Sequence, residues 1–137
     1  METPADFEVQ GTRGFYRPRG VVTLEQALQL IYSAVRFARA QRLRDILINI
    51  NALEGYREPT IFDRYEYAGT LADIGAGHLH VAQVLPADVI DAKRFGVLVA
   101  TNRELITCAF VTEEEAIAWL NSGNFDVRPQ DDAAGSA

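Results

Sequence analysis

Residues 46–50 read Ile-Leu-Ile-Asn-Ile, an apolar run without polar–apolar alternation, and no other stretch constrains the fold so strongly. A strand with one wet face alternates. A strand that does not alternate is buried on both faces, as in a parallel sheet covered by helices. Such a sheet needs helical crossovers on either side of the run.

The flanking sequence supplies them. Thr23 stands as an N-cap with Gln26 in capping-box position, and Leu24, Leu28, Ile31, Val35 and Ala38 then recur at steps of three and four. Glu25, Gln29, Arg36 and Arg39 fall off that face. After the run, Pro59-Thr60 opens a second helix, with Asp63 repeating the cap logic. Its expected inner face is Ile61, Tyr65, Ala68 and Ala72, and Gly75 or Gly77 ends it. A strand is expected over 79–85, stopped by Pro86. Phe95, Leu98, Val99 and Asn102 follow at helical spacing, then a strand over 107–111. Thr112 caps a last helix whose first turn carries three acids, suited to the positive end of the helix dipole. Ile117 and Leu120 would bury that helix, with Trp119 beside them.

Ahead of all this, Phe7–Gln10 and Phe15–Arg17 flank Gly11-Thr12-Arg13-Gly14, the pattern of a hairpin. The expected order is β-β-α-β-α-β-α-β-α: an α/β fold with a mixed, mostly parallel sheet of four to five strands and helices packed against it. One domain over residues 4–123 is expected, with 124–137 as a polar, disordered tail.

The net charge of −6 argues against nucleic acid as the main partner, because phosphate binding needs a basic face. Cys108 is the single cysteine, so the chain holds no disulfide framework. No apolar run approaches the ~20 residues of a membrane span, which leaves peripheral membrane contact open. The start, METPADFEVQ, lacks the basic and apolar regions of a signal peptide, and the default expectation is cytoplasmic.

Catalytic signatures are hard to find. Ser33, Ser122 and Ser136 are the serines, and none falls in a strand-to-helix turn. Phosphate-cradling glycine motifs are missing. His78 and His80 would share one strand face, which can serve a metal only with further ligands; a solvated strand end is the simpler reading. Cys108, inside an apolar strand, reads as a buried, inert thiol. Glu54 and Glu58 could form an acid–base pair, but Arg57 between them is expected to pair with one or both at the surface. Expected are no catalytic residue, no metal and no cofactor. The loop 51–60, residues 86–94 and Val111-Thr112 should gather at the carboxyl edge of the sheet, where such folds meet ligands and partners. The second helix carries more aromatics, Phe62, Tyr65 and Tyr67, than one inward face can hold. The simpler reading puts two in the core and leaves one as an ordinary exposed tyrosine; the functional alternative is an apolar patch or cleft built with Leu71.

Taken together, ILINI followed by a long loop, FDRYEYA, RFGVLVATNR and FVTEEEAIAWL resemble the STAS domains of anti-sigma-factor antagonists, and more closely the SpoIIAA-like, STAS/CRAL-TRIO-like family. The resemblance covers about residues 6–122 and implies a non-enzymatic role. In the antagonists a serine opening the second helix, in a D-S-S-G motif, is phosphorylated to switch partner binding. Here that turn reads R-E-P-T, so Thr60 is the one hydroxyl in the matching position; as an N-cap it would already accept a backbone N–H.

The leading expectation is a regulatory or protein-interaction module, binding a protein partner or a second copy of itself (a homodimer) through the surface around the second helix. The alternative is a carrier of a small nonpolar, lipid-like molecule held between sheet and helices, with Phe62, Tyr65, Tyr67, Leu71, Phe95, Leu98 and Val99 as ligand or partner surface. A carrier requires a cavity near 61–72 and 95–102; a solid core there would exclude it.

Overall fold

A right-handed crossover that steps always in the same direction along a parallel sheet puts every helix on the same face. The computed structural model, which describes residues 3–75, 79–87, 89 and 106–123, follows this rule until its last helix. Strands β1 (Phe7–Gln10) and β2 (Arg13–Tyr16) form the expected hairpin. Then come β3 (Gly20–Val21), α1 (Leu24–Ala40), β4 (Asp45–Asn49), β5 (Leu53–Glu54), α2 (Ile61–Gly75), β6 (His80–Val84), β7 (Ile106–Phe110) and α3 (Glu113–Ser122). The main sheet has order β1-β2-β4-β6-β7, antiparallel only between β1 and β2. A mixed, mostly parallel α/β sheet is therefore present. The helix expected around Phe95, Leu98, Val99 and Asn102 lies outside the described residues, as do Gly77, His78, Arg94 and the tail 124–137.

Strand β4 explains the unalternating run. Ile46 and Ile48 pack with α1 and α2, together with Tyr16, Val35, Leu71 and Val81. Leu47 points the other way, packing with Phe15, Ala82, Val84 and the α3 residues Ala116 and Leu120. Both faces are covered, so neither can be polar. α3 lies on the second face, where Ala116 and Leu120 cover Leu47.

The helix ends form as their sequences imply. Thr23 and Gln26 make a reciprocal capping box, and Thr112 and Glu115 make another. At α2 the Asp63 amide donates to Thr60 Oγ1 at 3.1 Å, while the Thr60 amide donates to Asp63 Oδ2 at 2.8 Å.

Two features escape the sequence patterns. β3 and β5 pair in parallel as a separate two-stranded ribbon, Gly20 against Leu53 and Val21 against Glu54. Gly55, which follows, has φ +86°, and a Cβ there would sit 2.8 Å from Val21 Cγ1, so glycine is required on both counts. Asp45, the first residue of β4, is fully buried; Arg13 reaches it with Nε at 2.7 Å and a second nitrogen at 3.3 Å, and Arg44 Nε adds a contact at 3.3 Å.

One expected face is only half right: Ala68 and Ala72 are buried as expected. Ile61 and Tyr65 were expected inside α2, yet they are 74 % and 46 % exposed. The buried side of α2 is Ala68, Gly69, Leu71, Ala72 and Gly75, with Tyr67 and Ile74 packed beside it. Small residues meet α1 and the sheet there together with Leu71 and Tyr67, while Ile61 and Tyr65 stay outside. This lets the second half of α2 pack closely, while Ile61 and Phe62 of its first turn are left exposed.

Candidate functional site

A cavity of about 90 Å³ lies between α1, α2 and strands β6 and β7, partly open to solvent. Leu24, Ala27, Leu28 and Ile31 line it from α1; Ala68 and Leu71 from α2; Ile50, Leu85 and Ala109 from the sheet side. The partly exposed Tyr56, Pro59, Asp63, Arg64 and Val89 rim its open end. The walls are almost wholly apolar. Its volume is below the ~150 Å³ that holds a benzene molecule in an engineered apolar cavity. A space of that size has room for the end of a slender molecule and not for the whole of one.

Three neutral polar side chains interrupt the apolar lining. The Tyr67 hydroxyl donates to Gln83 Oε1 at 2.5 Å, and Gln83 Nε2 donates to Thr107 Oγ1 at 2.9 Å. Gln83 and Thr107 are 5 % and 4 % exposed. They project from the same sheet face as Val81 and Ala109, as the two-residue period of a strand demands. Burial pushes the Tyr67 phenol far above its ordinary value, with Tyr32 nearby adding to the effect, so it keeps its proton. Tyr32 stacks on it at a centroid distance of 6.0 Å.

The mouth is tied shut on one side by a charged latch. Arg57 pairs with Asp63 at 2.7 Å and with Glu25 at 3.0 Å, joining the loop before α2 to the first turns of both helices. The Asp63 carboxyl is held well below the usual carboxylate range, first by Arg57 and then by the Thr60 amide and hydroxyl. Arg57 was expected to pair with Glu54 or Glu58; it reaches across to the helices instead, because Glu54 is held in β5 and a helix start offers a fixed acid. Arg64 donates to the Pro59 carbonyl and to the Val89 carbonyl, each at 3.3 Å, linking loop, α2 and the segment after β6. Of the segments expected at the carboxyl edge of the sheet, Pro59 of the loop before α2 and Val89 after β6 are brought together by Arg64; residues 88 and 90–94 lie outside the described residues.

The expected surface residues divide. Tyr67 and Leu71 line the cavity. Phe62, 68 % exposed, and Tyr65 face outward with Ile61. Phe95, Leu98 and Val99 lie outside the described residues. Thr60 Oγ1 accepts the Asp63 amide and donates to its carboxylate at 2.9 Å, so it serves as a cap. Cys108 is buried. No group of three or more His, Cys, Asp or Glu side chains converges among the described residues, and none of their helices is long and apolar enough to cross a membrane. Sequence reading missed Gln83 and Thr107; the signal was available as two polar residues within otherwise apolar strands.

No family model, curated protein or solved structure matches this chain.

Proposed function

We propose that the chain is a STAS-like, SpoIIAA-like binding module that holds a small nonpolar molecule between its sheet and helices α1 and α2. The observation that carries this reading is the apolar cavity. A helix pair packed for stability alone closes such a space, since unfilled volume costs roughly 24 cal/mol per Å³. Here α2 places small residues against α1, and the space between the helices and the sheet stays partly open. The sheet order, with one antiparallel hairpin leading into parallel strands, supports the STAS-like assignment. The module acts by binding, not by catalysis.

Methyl NMR during titration with xenon and n-hexane tests the proposal. Saturable shifts centred on Leu28, Ile31, Leu71 and Leu85 are expected. Shifts that are absent, or scattered over the surface, would refute it.

A second reading, docking of a protein partner or a second copy, is favoured by Ile61, Phe62 and Tyr65, which expose apolar surface at the start of α2 beside the cavity mouth. The two readings are compatible: the exposed turn lies where an occupant of the cavity would emerge.

A further inference from the structure

We propose that the cavity selects molecules bearing one neutral hydrogen-bonding group, such as a hydroxyl or a carbonyl, which docks on the Tyr67–Gln83–Thr107 chain while the apolar remainder points to the mouth. The inference rests on the ligand-binding reading above and specifies its substrate class.

The polar chain has unused capacity. Its two hydrogen bonds take one lone pair and one N–H of the Gln83 amide, leaving a second lone pair and a second N–H. All three side chains line the cavity. Their cost is otherwise unexplained: neighbouring positions on this sheet face are Val81 and Ala109, and apolar residues there would have needed no partner.

The chain is also reversible. With the Gln83 amide turned end for end, Thr107 donates to Gln83 Oε1, Gln83 donates to the Tyr67 oxygen, and the phenolic hydrogen is released toward the cavity. A carbonyl can then accept from Tyr67, whereas a hydroxyl can donate to the oxygen in the original orientation. A charged head is disfavoured at the floor. Among the described residues no ionised side chain stands there, and a carboxylate would lose its hydration without a counter-charge. The charged lining residues, Asp63 and Arg64, sit at the mouth.

The test compares n-hexane, 1-hexanol and hexanoate by calorimetry or NMR on the full chain and on Tyr67→Phe and Gln83→Leu. In the parent chain 1-hexanol should bind at least tenfold more tightly than hexanoate. Each substitution should weaken 1-hexanol about three- to tenfold, the loss of one neutral hydrogen bond, while leaving n-hexane unchanged or tighter. Hexanoate binding as well as 1-hexanol, or either variant weakening n-hexane and 1-hexanol equally, overturns the inference and leaves the cavity reading intact. Failure of n-hexane to bind the parent chain overturns both. Tyr67→Phe keeps the ring and its packing, so the test survives should Gln83→Leu fail to fold.

Discussion

The Tyr67 hydroxyl lies 2.5 Å from Gln83 Oε1 and joins the middle of α2 to the central part of the sheet. Tyr67→Phe breaks that link and strands a buried acceptor. Leaving such a group unsatisfied costs about 1–3 kcal/mol. Urea denaturation should show a loss in that range with an unchanged slope; no loss would mean that water or Thr107 satisfies the amide equally well.

Ala68 lies at 2 % exposure on the α2 wall of the cavity. Ala68→Leu projects a larger side chain into the empty space. Uptake of n-hexane should fall at least tenfold, and stability should change by less than about 1.5 kcal/mol, because filling a void offsets the usual cost of overpacking. A large destabilisation with retained uptake would place the free volume elsewhere.

Arg13 holds the fully buried Asp45 carboxylate, with Arg44 contributing a longer contact. Removing one partner of a buried pair leaves an uncompensated charge. Arg13→Ala should cost about 3 kcal/mol, toward the lower end for such pairs because Arg44 remains. Thermal unfolding followed by circular dichroism measures this.

Glu113 opens α3 and accepts from both Arg17 and Asn49, tying the second helical layer to β4. Arg17 is the main reason its carboxyl lies below the ordinary value of 4.5, against the opposing effect of burial. A carboxyl that holds its proton more weakly when folded adds stability in full above its unfolded pKa and loses it as pH falls through the folded one. Stability should therefore drop on acidification below 4.5, and Glu113→Gln should flatten that drop. An identical acid profile in the variant would contradict the assignment.

Phe62 is exposed at the start of α2, next to Ile61. If this turn docks a partner or a second copy, Phe62→Asp should shift sizing chromatography toward the monomer or abolish pull-down, while n-hexane uptake persists. Unchanged assembly would remove the patch from consideration.

The legible parts of this fold are those dictated by local rules. The non-alternating β4, the capping boxes at Thr23 and Thr112, and the hairpin around Gly11–Gly14 all follow from periodicity or cap chemistry. Helix α2 was legible in part: Ala68 and Ala72 lie inside as their spacing implied, whereas the large Ile61 and Tyr65, placed on the same face by periodicity, stay outside. The Arg57 latch joins residues 32 and 6 positions apart, and Arg13–Asp45 joins residues 32 apart; pairing at such range depends on the sheet register, which no local pattern carries. The cavity and its polar chain depend on distant residues meeting: Tyr67 on α2 with Gln83 on β6, 16 positions apart, and Gln83 with Thr107 on the neighbouring β7, 24 positions apart.

Native mass spectrometry of the chain and its Ala68→Leu variant, both isolated from the source organism, tests the central claim most directly. The account predicts a one-to-one complex of the 15.2 kDa chain with a small, uncharged, largely nonpolar molecule, and its loss in the variant. A bare chain from both preparations, or an adduct retained undiminished by Ala68→Leu, would contradict it.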